Sequence, residues 1–254
     1  MKVILPGEIE WRELGALEAF GIPKNQPVII SIVGAGGKTT TLEALAEDYV
    51  QNRRKAVVTT TTHMFYPENK WRFTESEEPD EIADLVKQQE VLWVGKACEN
   101  NKFKQPNPNV MEYLCKGEVS VLVEGDGSKR LPFKVPGEKE PVLADNTSYV
   151  IGVLGLDGLK QKISKVCFRK EMVSSFLNKT QEDCLTEEDF AKVIGSKEGL
   201  KKKVAEWMHY IVVLNKADTK EKIESAFQIR RQVLEYGIEN VYITSYEGKE
   251  GKIV

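Results

Sequence analysis

Two histidines and four cysteines are the only nitrogen and sulfur metal donors of their kind in this 254-residue chain. Cys98, Cys115, Cys167 and Cys184 are widely separated and form no C-x-x-C pair, which argues against a structural zinc site. Scattered thiols in a chain of this size fit a reducing compartment. No apolar run approaches the roughly 20 residues that cross a bilayer. The start, Met1 to Leu5, is too short for a signal-peptide core and is interrupted by Pro6, so the expected location is the cytoplasm. Basic charge is not in excess either. A net charge of −3 leaves no electrostatic footprint for nucleic acid or an anionic membrane, and neither is expected as a partner. Internal repeats and low-complexity tracts are also missing. The length is enough for one full core, as a single α/β domain over 1–254 or a domain with a lobe.

What the chain does have is a glycine turn between a strand and a helix. Val28-Ile29-Ile30-Ser31-Ile32-Val33 is apolar and β-branched, as a buried strand should be. Gly34-Ala35-Gly36-Gly37-Lys38-Thr39-Thr40 follows, and then a run with apolar residues at helical spacing. Glycines let backbone N–H groups converge on an anion, and the helix start adds its partial positive charge. Lys38 would reach the outer phosphates and the Thr39 hydroxyl would ligate Mg²⁺. The turn is shorter than G-x-x-x-x-G-K-[ST], whose first glycine would fall at Ile32. It resembles the G-T-x-G-K-T-[ST] loop of Mur-type ATP-dependent ligases, and more loosely the G-K-T-T loops of assembly and maturation ATPases and GTPases.

Strands and helices alternate along the rest. Strands are expected at 28–33, 56–60, 91–95, 119–124, 149–154, 210–214 and 241–244. Helices are expected at 39–52, 79–89, 108–116, 169–178, 186–194, 198–208 and 219–236. Trp11, Leu14, Leu17 and Phe20 suggest a further short helix within 8–20. Continuous Val/Ile/Leu strands interleaved with helices predict a P-loop NTPase-like, doubly wound α/β fold with a mostly parallel sheet and helices on both faces. A helical cap or insertion at 161–208 is the candidate lobe. Two long loops, 62–78 and 125–148, begin at strand C-termini, the edge where open α/β sheets bind ligands.

Chemistry-bearing residues gather at those ends. Glu124 and Asp126 follow an apolar strand, where P-loop proteins keep a Mg²⁺-holding carboxylate. Lys129, Arg130, Lys134 and Lys139 come next on a path stiffened by Pro132, Pro136 and Pro141. Such a loop could clamp a substrate phosphate, with Arg130 and Lys134 as its leading members. Thr61, Thr62 and His63 follow the second strand, where His63 could serve as base or orienting donor. Asn215-Lys216-Ala217-Asp218 ends another strand and resembles the N-K-x-D guanine-reading element of GTPases. The D-x-x-G of a GTPase metal strand is lacking, since Asp126-Gly127-Ser128-Lys129 has no second glycine. ATP and GTP therefore both stay open.

Together, G-A-G-G-K-T-T-T, T-T-T-H-M, V-E-G-D-G-S-K-R-L-P-F-K-V-P, V-I-G-V-L-G-L-D-G-L and L-N-K-A-D resemble the YqeC family. The block from Glu124 through Asp126, Gly127, Ser128 and Pro132 to Lys134 is the most distinctive part. Phe168-Arg169-Lys170-Glu171 departs from the family's H-R-P-E. The resemblance implies an accessory factor in maturing a selenium-dependent molybdenum hydroxylase or its cofactor, with the hydroxylase or its maturation factors as partners. The leading expectation is a Mg²⁺-dependent NTPase binding ATP or GTP. Gly34, Ala35, Gly36, Gly37, Lys38, Thr39 and Thr40 would hold phosphates. Thr39, Glu124 and Asp126 would surround the metal, and Asn215, Lys216 and Asp218 would flank the base. Lys38, Glu124, Asp126, Arg130, Lys134 and His63 form the candidate catalytic set, with a small-molecule or cofactor second substrate. The alternatives are a ligase- or kinase-like phosphoryl transferase, and a non-catalytic nucleotide-dependent scaffold that docks through 62–78 and 161–208.

Overall fold

The computed structural model describes residues 1–67 and 71–246. Residues 68–70 of the expected 62–78 loop, and 247–254 of the expected 1–254 domain, lie outside the described residues. The chain opens with β1 (Lys2–Ile4), β2 (Arg12–Glu13) and the one-turn helix α1 (Ala16–Ala19). Next come β3 (Ile29–Gly34), α2 (Lys38–Gln51), β4 (Ala56–Thr60), β5 (His63–Phe65), β6 (Arg72–Thr74) and α3 (Pro79–Gln88). They lead into β7 (Val91–Val94), β8 (Lys96–Cys98), β9 (Lys102–Lys104), α4 (Pro108–Cys115) and β10 (Ser120–Glu124). The second half begins with β11 (Phe133–Lys134), β12 (Tyr149–Gly155) and a 3₁₀ turn (Leu156–Gly158). It continues through α5 (Ile163–Val166), β13 (Cys167–Phe168), α6 (Lys170–Leu177) and α7 (Glu187–Gly195). β14 (His209–Asn215), α8 (Lys220–Leu234) and β15 (Val241–Ser245) complete it.

Ten strands form the main sheet in the order β2-β1-β15-β14-β12-β3-β10-β4-β7-β6. From β15 to β6 every neighbouring pair is parallel, and β1 and β2 add an antiparallel edge. Alternation along each strand sorts side chains between two covered faces. Ile30, Ile32, Leu122, Ile151 and Val153 pack with Leu42 and Leu45 of α2 on one face. Ile29, Val121 and Val123 meet Ile82 of α3 and Leu114 of α4 on the other. Further along that second face, Val150, Leu154, Val212 and Leu214 join Phe190 of α7 and Ile229 of α8. Each such buried side chain contributes about 1.5–3 kcal/mol of transfer free energy. β3, which carries the glycine turn, lies between β10 and β12 in the middle of the sheet. The fold is thus α/β, doubly wound and mostly parallel, as the alternation of elements indicates.

Three expectations are corrected. The spacing of Trp11, Leu14, Leu17 and Phe20 produces a helix only over Ala16–Ala19, because Arg12–Glu13 pairs with β1 instead. A buried carboxylate from α2 sets that start: Asp48 Oδ2 accepts from the Leu17 N–H at 2.8 Å. Residues 198–208 form successive turns, not a helix. There Lys203 has a left-handed φ of 62°, and the ammonium groups of Lys202 and Lys203 donate to carbonyls of Gly137, Glu138, Lys139 and Pro141. The 62–78 and 125–148 stretches are not wholly irregular either. The first contains β5 and β6, and the second contains β11, which pairs with β13.

Replacing Asp48 by Ala would leave the buried Leu17 amide without an acceptor. An unfolding free energy lower by about 1–3 kcal/mol is expected from urea titration, with Asp48→Asn recovering part of it.

Candidate functional site

The turn after β3 is shaped by its neighbours. Gly36 (φ 73°) and Gly37 (φ 140°) take left-handed backbone that side-chain-bearing residues seldom adopt. A Cβ on Gly36 would stand 2.4 Å from the Gly155 nitrogen, and one on Gly37 would stand 2.0 Å from Asn215 Nδ2. Both positions therefore exclude any other residue. The α2 helix follows at once, and its first return bond runs from Thr41 N–H to Gly37 O (2.9 Å). The amides of residues 38–40 are thus among the donors that a helix start leaves free for an anion.

Asp126, two residues past β10, holds this turn from beneath. Its carboxylate accepts from the Gly34 N–H (3.0 and 3.1 Å) and ion-pairs with Lys38 Nζ (3.3 Å) and Lys134 Nζ (2.9 Å). The Asp126 and Lys134 side chains have no exposed surface. Lys38 Nζ also donates to Gly34 O (2.7 Å) and lies 3.4 Å from Ser128 Oγ. Lys134 Nζ donates to Gly127 O (2.8 Å) and to Glu140 Oε2 (2.7 Å), and Glu140 takes a two-pronged pair from Arg169 (2.8 and 2.9 Å). A line of alternating charges thus runs from the glycine turn to the start of α6. The parallel pairing of β11 with β13 builds that line, setting Lys134 beside Phe168.

Glu124 turns elsewhere. Its Oε2 accepts from the Thr39 hydroxyl at 3.1 Å. Burial, reinforced by the Asp126 charge, pushes the Glu124 carboxyl above the ordinary 4.5; Lys38, Thr39 and Lys134 oppose this only in part. Glu124 and Asp126 thus have separate partners, Thr39 for one and two lysines for the other.

Among the other expected residues, Asn215 belongs to the turn, since its Nδ2 donates to Gly36 O (3.0 Å) and its Oδ1 accepts from Thr244 (3.0 Å). Lys216, left-handed at φ 66°, pairs with Asp157 (2.7 Å). Asp218 accepts from Ser245 Oγ (2.8 Å). Ala35 is buried, and its N–H donates to Val153 O (2.8 Å). Thr40 is partly exposed in the first turn of α2. Arg130 is exposed, with its guanidinium carbon 4.3 Å from the Phe65 ring centre. His63 is exposed on β5, in register with Lys104. Neither Arg130 nor His63 is hydrogen-bonded or ion-paired to the glycine turn among the described residues. Thr61 Oγ1 is engaged by the Val142 carbonyl (2.7 Å).

Three participants lie outside the sequence-based set. Glu140 and Arg169 complete the charge line. Asp157 has an Oδ1 that is buried without a hydrogen-bond partner among the described residues. A carboxylate after an apolar strand is the signal that singled out Glu124, and the same signal at β12 would have found Asp157.

Fold and site together define an α/β protein with a P-loop-like sheet and a glycine turn at its centre. The model of the YqeC protein family matches residues 30–171, more than half of the chain. A curated relative from Escherichia coli (strain K12), with the name "Uncharacterized protein YqeC", is 26% identical over 225 residues. That alignment covers 87% of this chain and 88% of the relative. The chain belongs to the YqeC family.

Glu140 supplies a pH test. Burial alone would raise its carboxyl, but the bond and charge of Lys134, the Gly137 amide and Arg169 outweigh it and hold the group below the ordinary 4.5. A carboxyl depressed in the folded state stabilises above its unfolded value, and that stabilisation is lost as pH falls through the folded one. Urea midpoints measured downward from pH 5 should fall more steeply for the wild type than for Glu140→Gln.

Proposed function

We propose that this YqeC-family protein is a Mg²⁺-dependent nucleotide-binding NTPase that acts as an accessory factor in maturing a selenium-dependent molybdenum hydroxylase or its cofactor. One observation carries the nucleotide reading: free amides, the Lys38 ammonium and the Thr39–Glu124 pair meet at the start of α2, on the central strand. That donor set suits a polyphosphate with its cation. Among the described residues no three His, Cys, Asp or Glu side chains converge. Mg²⁺ asks for less, since it takes one or two carboxylates and fills its octahedron with phosphate oxygens and water. Thr39 and Glu124 would hold it, and the cation would neutralise charge on the outer phosphates.

Asp126 has a different part in this reading. Both of its oxygens are engaged, so it would set the position and charge of Lys38 and Lys134 instead of ligating metal. Asn215 would brace the cradle through the Gly36 carbonyl. Lys216 and Asp218 would flank the base, where a carboxylate acceptor favours guanine over adenine. The maturation role rests on what the resemblance to the YqeC family implies and not on geometry.

Titration calorimetry with Mg²⁺-ATP and Mg²⁺-GTP tests the reading. Binding of at least one nucleotide is expected, weakened tenfold or more by Lys38→Ala. Glu124→Gln should abolish the Mg²⁺ dependence of binding while leaving thermal unfolding cooperative. Because burial raises the Glu124 carboxyl, metal-dependent affinity in the wild type should climb as pH rises through that raised value. Absence of binding by both nucleotides would overturn the proposal, and equal affinity would overturn the guanine preference.

A further inference from the structure

The segment Ser128–Leu131 is closed by the Leu131 N–H donating to Ser128 O (3.0 Å), and its two central residues, Lys129 and Arg130, have φ of 50° and 63°. Left-handed backbone at both central positions makes a type I′ turn. Glycine, asparagine and aspartate adopt that turn readily, and long side chains do not. Two consecutive strained cations bring no burial in return, since both are exposed. Strain held at exposed cations, against ring contacts alone, points to use.

The turn is fastened to the glycine cradle at both ends. Ser128 Oγ lies 3.4 Å from Lys38 Nζ. Pro132 O accepts from Gly155 N–H (3.0 Å) and stands 2.9 Å from where a Cβ on Gly36 would be. Its two cations lean on two rings from different elements. Arg130 lies over Phe65 of β5, and Lys129 Nζ is 5.7 Å from the ring centre of Phe168 on β13. Phe65 is 42% exposed, and Lys102 Nζ sits 4.7 Å from its ring centre. β5, β9 and β8 form a small antiparallel sheet whose inner face buries Met64 and Phe103. By strand alternation its outer face carries His63, Phe65, Lys102 and Lys104. Among the described residues no carboxylate pairs with Lys102, Lys104, Lys129 or Arg130. In a chain of net charge −3 that is a local concentration of unbalanced positive charge.

We propose that the Lys129–Arg130 turn, with Phe65 and Lys102, is the binding site of a second, small anionic ligand carrying a phosphate or carboxylate group, next to the nucleotide. The proposal rests on the reading of the glycine turn as a nucleotide cradle, which supplies the reason for a neighbouring anion. Arg130 offers a planar fork suited to two oxygens at once. Phe65 holds that fork extended through cation–π contact while it waits.

The test uses residues that the turn itself prefers. Asn-Gly is the favoured pair for type I′ geometry, so Lys129→Asn/Arg130→Gly removes both charges while relaxing the backbone. Inorganic phosphate and citrate are titrated separately into Lys38→Ala, whose cradle lacks its ammonium, and into the triple variant that adds the Asn-Gly pair. Lys38→Ala should bind at least one anion, and whichever binds identifies the group recognised. The triple variant should bind it at least tenfold more weakly, with a melting temperature equal to or above that of Lys38→Ala. Equal binding by the two proteins, or binding of neither anion by Lys38→Ala, would overturn the proposal. A lower melting temperature in the triple variant would do so too, since the two cations would then be structural. Wild-type titration with Mg²⁺-nucleotide is read separately. Its failure beside intact anion binding would remove the cradle reading alone.

Discussion

The Asp126 carboxylate is the contact on which the rest of the site depends. It lies without exposed surface among the Gly34 amide, Lys38 and Lys134. A buried charge is tolerable only when its partners are close and its lone pairs are filled, and here both conditions hold. The arrangement does three things at once. It fixes the end of β3, positions the lysine at the mouth of the turn, and ties the proline-braced loop to the strand that precedes it. Because Lys134 is shared with Glu140, and Glu140 with Arg169, the same carboxylate is linked through them to the residue that opens α6. Removing one member of such a line leaves its neighbour charged and unmatched, which costs far more than a surface pair would.

Steric closeness gives the turn its second constraint. Gly36 lies against the backbone at Gly155 and the carbonyl of Pro132, and Gly37 against the Asn215 amide. The last residues of β12 and β14 and the connection after β10 therefore converge on one glycine turn. A parallel sheet makes that convergence natural, since all its strands end at the same edge. Glu124, Asp126, Asp157 and Asn215 reach the site through that shared direction and not through nearness in sequence.

Where the sequence was legible, local chemistry and tertiary packing agreed. Pro79 opens α3, Asn107 caps α4 by accepting from Val110, and Thr186 with Asp189 forms a reciprocal cap on α7. Those helices stand within a residue or two of where the pattern put them. The seven long strands were readable because burial on both faces demands unbroken apolar runs. Two of the failures share one cause, capture by groups distant in sequence. Asp48 of α2 captures the Leu17 amide and confines the short helix expected within 8–20 to a single turn. Lys202 and Lys203 bond to carbonyls more than sixty residues away, and a helical pattern becomes turns. Strands as short as β11 and β13 carry no periodicity to read, since each is two residues long.

By itself the sequence determined the α/β class, the glycine turn between a strand and a helix, and the family, because glycine, lysine and threonine spacing and β-branched runs are properties of the chain alone. The roles of individual charges were decided only by the tertiary structure. Glu124 and Asp126 sit two residues apart and would be read as a pair, yet one joins a helix-start hydroxyl while the other is enclosed by two lysines. Lys134 and Arg130 belong to one basic loop, yet one is wholly buried and the other lies exposed over a phenyl ring. Burial and partner choice are set by chain segments distant in sequence, and these alone convert a residue type into a particular electrostatic task.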